Sequence, residues 1–386
     1  MSRAVTADHV LFDECISAFR REQGYRASSF EGESCSYVMT AFELSQQWDL
    51  GICTLHPSTK VILQGAYSAF ISRVDNPEWV GTHNSHLFGI ALSAIISFAT
   101  GKTCKSTRDD YLCRRDQLSE HDIHQLALIN PILTAGPGCT HTLLSEERQT
   151  VLGDEIRQLI ERLHAVDYQV YRTVMQSIRL VHLSLANKRD DFGLAYLLVV
   201  SAIESVAQKS IKRDKVKEKH PSEKVWKEKA KNDEDFSELL RVYMEYRGKQ
   251  EYLKERYIEF ILKYAPPEHW KECVPHPMQE LAEYVKEISP SHGIDHIVQK
   301  HWFEKYPNEF EEGEIRAILA DSYTHRSCFI HRGEQPPHTD PSPSLNRFFQ
   351  EYREDDGYNI TEKVLPNYEL LLGISKYSIL GWINTK

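Results

Sequence analysis

The chain has 386 residues, of which 41% are hydrophobic and 26% charged, and its formal net charge is −10. This length allows two or three domains, and the composition is that of a folded, soluble protein rather than a disordered one. The negative charge argues against a protein that coats nucleic acid non-specifically, but it leaves room for a local basic site.

The N-terminal sequence lacks the basic-then-apolar pattern of a secretion signal. The longest apolar run, Leu87 to Phe98, is shorter than the ~20 residues that span a bilayer. The eight cysteines include no Cys-x-x-Cys pair, which is typical of free thiols in a reducing compartment. We therefore expect a cytoplasmic protein that does not bind a membrane.

The sequence of residues 1–165 predicts a mixed α/β domain, but it does not identify the fold. The spacing of apolar residues predicts four helices, over 8–22, 85–99, 119–129 and 145–163. Strands are predicted over 35–44 and 52–63, where β-branched and aromatic residues dominate. We expect this domain to sense a trigger, to bind a partner or to restrain the rest of the chain.

The sequence of residues 166–386 predicts a helical domain with a large insertion at about 211–312. The predicted helices cover 167–187, 192–210, 236–264, 277–288, a segment that starts near 313, and 365–383. The first two helices are joined by a short turn, so they are expected to lie antiparallel. The second is apolar almost all round, which predicts that it is buried.

The start of the insertion is strongly basic. Residues 209–231 contain ten Lys or Arg and four Asp or Glu. One interpretation is a solvated helix or flexible connector, and the other is an arm that contacts phosphate groups through residues such as Lys212 and Arg213.

The segment Arg326-Ser327-Cys328-Phe329-Ile330-His331 places an arginine and a histidine five positions apart, and Gly333 follows. The sequence contains seven Arg/His pairs of similar spacing, so spacing alone does not select one. The order of elements selects Arg326 and His331, because their helix follows two adjacent helices and precedes an amphipathic closing helix. On an ideal helix the two residues are about 140° apart. Either the helix loosens before Gly333, or the site is composite.

This order of helices, with the segments 192–204 and 326–334, resembles the ApeA-like branch of the HEPN family. The resemblance covers about 167–210 and 313–385. It implies a four-helix bundle, a homodimer formed through it, and a metal-independent endoribonuclease that leaves 2′,3′-cyclic phosphate ends. It also implies that His331 is the acid/base residue, which gives or takes a proton during cleavage, and that Arg326 holds the RNA phosphate. Both residue types suit these roles, because histidine titrates near neutral pH and arginine stays charged.

Glu204 supports this assignment independently. It lies at the end of an apolar helix, where burying an unpaired carboxylate is costly, so Arg326 is its expected partner. The alternative is that Glu204 lies on an exposed edge. Around the motif, Arg332, Ser327 and His325 are candidate RNA contacts.

Two other functions remain open at this stage. The helical domain could be an inactive module that binds RNA or protein, and the N-terminal domain could hold a catalytic metal. Candidate metal ligands occur in three groups, His83/His86, His121/His124 and Cys139/His141, but no four-ligand zinc set can be assembled. We therefore expect no metal and no cofactor. Gly101-Lys102-Thr103 lacks the earlier glycine of a phosphate-binding loop and predicts a helix end.

Overall fold

A computed structural model describes the chain over residues 8–21, 34–63, 67–108, 113, 118–133, 144–216, 220–249, 252–274, 283, 285–287, 289–290, 305–334, 347–355 and 360–386. The described part is mainly helical, with a small antiparallel sheet near the N-terminus. The prediction of a mainly helical chain with a mixed α/β N-terminal region is confirmed.

The elements have the following bounds. The helices are α1 (Asp8–Phe19), α2 (Ser85–Thr100), α3 (Glu120–Ile129), α4 (Glu146–Ala165), α5 (Tyr168–Asn187), α6 (Phe192–Ser210), α7 (Arg213–Val216), α8 (Glu223–Lys229), α9 (Glu234–Lys249), α10 (Leu253–Tyr264), α11 (Trp270–Cys273), α12 (Glu312–Arg332) and α13 (Tyr368–Ile383). The strands are β1 (Cys35–Thr40), β2 (Trp48–Asp49), β3 (Thr54–Leu55), β4 (Thr59–Ile62), β5 (Tyr67–Asp75), β6 (Cys104–Ser106), β7 (Ile132–Leu133), β8 (Phe349–Asp355) and β9 (Ile360–Pro366).

Strand β5 is the centre of the N-terminal sheet, and the sequence did not predict it. It pairs antiparallel with β1, β3, β4 and β7, and β6 pairs with the other edge of β1. The single strand predicted over 52–63 is wrong. The chain there forms the two short strands β3 and β4, separated at Pro57, because proline cannot donate a ladder hydrogen bond.

Helix α2 packs closely on the sheet through Gly89. A Cβ at this position would lie 2.6 Å from Ser106 Oγ and 3.0 Å from Ser36 Cβ, so only glycine allows this approach. The helix ends as predicted at Gly101, whose φ of +67° is in the left-handed region. Gly101 is therefore a helix C-cap rather than part of a phosphate-binding loop.

Helix α6 is the central helix of the C-terminal half. It begins with Asp191, whose carboxylate accepts a hydrogen bond from Leu194 N at 2.9 Å, and it packs against α5, α10, α12 and α13. Among the described helices, it alone has the length and apolar composition of a membrane span, and more than half of it is buried inside the protein. The prediction that it is buried is confirmed.

The predicted insertion is only partly peripheral. Its helix α10 packs directly against α6, α12 and α13, and Tyr257, Phe260 and Ile261 on it are fully buried. The prediction of a single helix over 236–264 is wrong. The segment forms two helices, α9 and α10, and Tyr252, directly before α10, has a φ of +50°. Most of the helix predicted over 277–288 lies outside the described residues.

One continuous hydrophobic core joins the two halves of the chain. It includes Phe88 and Ile95 of α2 together with Val174 of α5 and Ile374 of α13. The boundary at residue 165 therefore crosses a shared core, and the division into two domains stays a prediction. The hairpin β8–β9 was not predicted from the sequence; β9 packs against α12.

Two partly buried histidines predict how stability depends on pH. Burial, reinforced by nearby Arg20 and Arg179, lowers the pKa values of His164 and His182 to about 4 from the ordinary 6.5. His164 Nε2 and His182 Nδ1 have no hydrogen-bond partner. On acidification the unfolded chain therefore binds protons first, so stability falls as the pH drops from about 6.5 to about 4.

The free energy of unfolding in urea should fall by roughly 1 kcal/mol per pH unit for each histidine across this range. His182→Gln should reduce this slope, whereas His121→Gln, at an exposed position of α3, should leave it unchanged. An equal slope in the wild type and His182→Gln would show that His182 does not contribute.

Candidate functional site

Helix α12 positions the site. It begins at a capping box in which Glu311 N donates to Glu314 Oε2 at 2.8 Å, and it ends at Gly333, whose φ is +70°. Ile315, Leu319 and Tyr323 on it are buried against the core. Arg326 follows Leu319 by seven residues and Tyr323 by three, so it continues the same buried face.

Arg326 contacts Glu204 of α6, as the sequence predicted. Arg326 Nη2 lies 2.9 Å from Glu204 Oε2, and the two side chains are 21% and 5% exposed. Neither Glu204 Oε2 nor Arg326 Nε has an aligned hydrogen-bond partner, so the contact is mainly electrostatic. The alternative that Glu204 lies on an exposed edge is wrong, because the residue is buried.

Two further side chains hold the Glu204 carboxylate. Gln208 Nε2 donates to Glu204 Oε1 at 3.1 Å, and Tyr323 OH approaches the same oxygen at 3.4 Å. Burial and the Glu204 charge raise the pKa of Tyr323 to about 12, so its hydroxyl stays protonated and can donate. The guanidinium of Arg326 also lies 5.7 Å from the centre of the Tyr323 ring, within cation–π range.

Helix α10 fixes the end of α6 beside this cluster. Arg256 Nε donates to Ile211 O at 2.9 Å, and its Nη2 donates to Gln208 O. These contacts satisfy carbonyl groups at the C-terminus of α6, where the helix lacks its own donors. Tyr257, the next residue, packs its ring against Tyr323 at 5.5 Å. The carboxylate of Glu204 is thus held between helices that are themselves fixed.

His331 lies in the last turn of α12, and its side chain is exposed. The helix is continuous from Glu312 to Arg332, so the alternative in which it loosens before Gly333 is wrong. At 3.6 residues per turn, His331 points about 140° away from Arg326. Within one chain, the structure does not bring the two predicted catalytic side chains together.

The remaining predicted contacts around the motif lie on different faces of α12. His325 Nε2 is 2.8 Å from the Tyr352 hydroxyl of β8, so this histidine already contacts the β8–β9 hairpin. Arg332 is exposed and lies 3.8 Å from Glu334, a surface ion pair of little energetic weight. Ser327 is half-buried.

Lys212 and Arg213 lie beyond the end of α6, which is six residues past Glu204, or about 9 Å along the helix axis. Lys212 is exposed, and α7, which begins at Arg213, packs against α10. The structure therefore places this basic pair on the same side of the molecule as α10 and does not bring it into contact with Arg326.

Over the residues that the structure describes, no group of three or more His, Cys, Asp or Glu is arranged to hold a metal ion. Cys139 and His141 lie outside these residues. Lys102 is buried at 3% exposure behind the Gly101 cap, which is not the position of a phosphate-binding lysine.

Sequence reasoning missed three residues of the site: Tyr323, Gln208 and Tyr352. Two of them carried a signal, since Gln208 lies four residues after Glu204 and Tyr323 three residues before Arg326, spacings that share a helix face. Tyr352 carried none, because it reaches His325 from a hairpin that the sequence did not predict.

No family model matches this chain, and neither a curated protein nor a solved structure matches it.

The Glu204–Arg326 pair predicts strong energetic coupling. Arg326→Met should lower the free energy of unfolding by about 2–3 kcal/mol, because it leaves a buried carboxylate without its counter-charge. The double variant with Glu204→Gln should lose about 1–2 kcal/mol less than the sum of the two single losses. Urea unfolding of the four proteins measures this difference.

The matched control is Arg316, on the same helix. Arg316 Nη1 lies 2.7 Å from Glu259, but both side chains are about 40% exposed, at 41% and 42%. The same cycle with Arg316→Met and Glu259→Gln should give a coupling below about 1 kcal/mol. Equal coupling in the two cycles would contradict a special role for burial at Glu204.

Proposed function

We propose that this chain is a metal-independent endoribonuclease of the HEPN type, with Arg326 and His331 as its catalytic residues and Glu204 as a positioning residue. The proposal includes the four-helix bundle of that family, formed by α5, α6, α12 and α13. The observation that carries it is the Glu204–Arg326 contact of 2.9 Å, beside a helix end that exposes a histidine.

The proposed reaction needs a positive charge that holds the phosphate and a group that gives or takes a proton. The RNA 2′-hydroxyl attacks the adjacent phosphorus, the bond to the 5′-oxygen breaks, and a 2′,3′-cyclic phosphate and a 5′-hydroxyl form. Histidine can take or give the proton near neutral pH, and arginine stabilises the negative charge on the phosphate oxygens in the transition state. Glu204 fixes the direction of the guanidinium.

The 140° separation on α12 favours a site shared between two chains. In a homodimer formed through the bundles, His331 of one chain would act on a phosphate held by Arg326 of the other. Ile330, the residue before His331, is 47% exposed, so such a contact would cover an apolar side chain at the end of α12. Arg332, Ser327, Lys212 and Arg213 would then contact RNA, and the N-terminal half would bind the unknown trigger.

The same separation favours a second candidate function. Because Arg326 is engaged with Glu204 and His331 points elsewhere, the bundle could be an inactive module that binds RNA or protein and forms dimers. In that case the Glu204–Arg326 pair would serve stability alone.

RNA cleavage in excess EDTA distinguishes the two functions. Purified wild type should produce 2′,3′-cyclic phosphate ends, because no metal takes part, and His331→Ala should reduce the rate at least 100-fold. End mapping of the products measures both. His121→Ala, at an exposed histidine on α3, should cleave like wild type.

Equal cleavage by wild type and His331→Ala would contradict the proposed site. Binding of RNA with no cleavage by the wild type would favour the inactive module.

Mixing two inactive variants tests the shared site. Arg326→Ala and His331→Ala should each be inactive, but a mixed dimer contains one site with both wild-type residues. The mixture should therefore recover up to about a quarter of the wild-type rate if chains exchange at random. The cleavage rate after co-refolding is the measurement, and no recovery would mean that both residues of a site come from one chain.

A further inference from the structure

A cleft of about 630 Å³ lies between α4 of the N-terminal half and α13 of the C-terminal half. Helix α4 packs closely on α2 and β2, whereas α13 packs on α5, α6, α10 and α11. The residues that line the cleft recur at three- and four-residue steps along each of the two helices, so each helix presents one face to it. A volume of this size is typical of small-molecule sites in proteins.

The buried part of the cleft lining is apolar. Leu159 of α4 is 5% exposed, Ala99 at the end of α2 is 4% exposed and Ile383 of α13 is fully buried. Leu380 is half-buried, and Tyr377 is 41% exposed. Binding an apolar group against these side chains removes apolar surface from water, which favours the bound state.

Two of the four charged side chains that line the cleft already compensate each other. Lys376 Nζ donates to Ala99 O at 2.6 Å and lies 3.1 Å from Glu155 Oε2. Arg148 lies 3.8 Å from the other oxygen of Glu155. The Lys376–Glu155 pair therefore leaves little charge for a ligand.

The other two charged side chains, Glu161 and Arg162, are available to a ligand. Both are exposed and both line the cleft. Over the described part of the chain, neither side chain has an ion pair or a hydrogen bond. Consecutive residues are about 100° apart on a helix, so the two charges do not face and neutralise each other. Glu161 repels a simple anion and Arg162 repels a simple cation, whereas a molecule with both charges side by side suits the two residues together.

We propose that this cleft binds a free α-amino acid with a large apolar side chain. Arg162 holds the α-carboxylate, because its parallel N–H groups match the two carboxylate oxygens. Glu161 accepts hydrogen bonds from the α-ammonium group, and the side chain of the amino acid covers Leu159 and Leu380. The ligand contacts both α4 and α13, so its binding stabilises their arrangement. The proposal does not depend on ribonuclease activity.

Calorimetric titration of the full-length protein tests the ligand class. L-Phenylalanine should bind with a Kd below about 1 mM. Phenylalaninamide lacks the carboxylate and N-acetylphenylalanine lacks the ammonium group, so each should bind at least tenfold more weakly. Glycine, which has both charges but no apolar side chain, should also bind at least tenfold more weakly.

Variants assign each charge of the ligand to its partner. Arg162→Gln should weaken phenylalanine binding at least tenfold and should no longer distinguish phenylalanine from its amide. Glu161→Gln should no longer distinguish phenylalanine from its N-acetyl derivative. Arg157→Gln is the matched control and should leave the Kd unchanged, because Arg157 lies on the same helix, is 41% exposed and pairs with Asp154. Thermal unfolding of each variant checks that the fold is retained.

The absence of phenylalanine binding to the wild type at about 5 mM would overturn the proposal. Equal binding of phenylalanine and N-acetylphenylalanine would also overturn it, because the cleft would then bind plain carboxylates. A third contrary result is that Arg162→Gln and Glu161→Gln both bind phenylalanine and its two derivatives as the wild type does.

Discussion

The burial of one carboxylate constrains the C-terminal half of this protein. Glu204 is 4% exposed on a mostly apolar helix, and an isolated buried carboxylate would be strongly destabilising. The fold meets this cost with Arg326, Gln208 and Tyr323. These partners come from both α6 and α12, so the pair fixes the position of one helix relative to the other. Any function at the end of α12 therefore depends on how this pair positions α12 relative to α6.

The contact between Glu204 and Arg326 could be predicted from the sequence, because burying an acidic side chain without a partner is costly. An acidic residue within an apolar helix needs a partner, and few arginines lie on a helix that can reach it. Helix ends were predicted on similar grounds. Ser145 and Asp191 accept backbone hydrogen bonds at the starts of α4 and α6, and Gly101 closes α2 with a left-handed conformation. Caps depend on a few neighbouring residues, so a sequence reveals them.

Long-range pairing could not be predicted in the same way. Strand β5 bonds with β1 and with β7, whose partner residues lie tens of positions away in the chain, and no local pattern specifies which strands meet. The hairpin β8–β9 was also missed, although its two strands are neighbours in the chain, and with it Tyr352 as the neighbour of His325. Helix α10 was assigned to an insertion, yet its fully buried Tyr257 packs against Tyr323 of the candidate site.

The angle between Arg326 and His331 makes the oligomeric state central to the proposed function. A regular helix turns the two side chains about 140° apart, so the proposed catalysis would need a second chain, whereas RNA or protein binding would not.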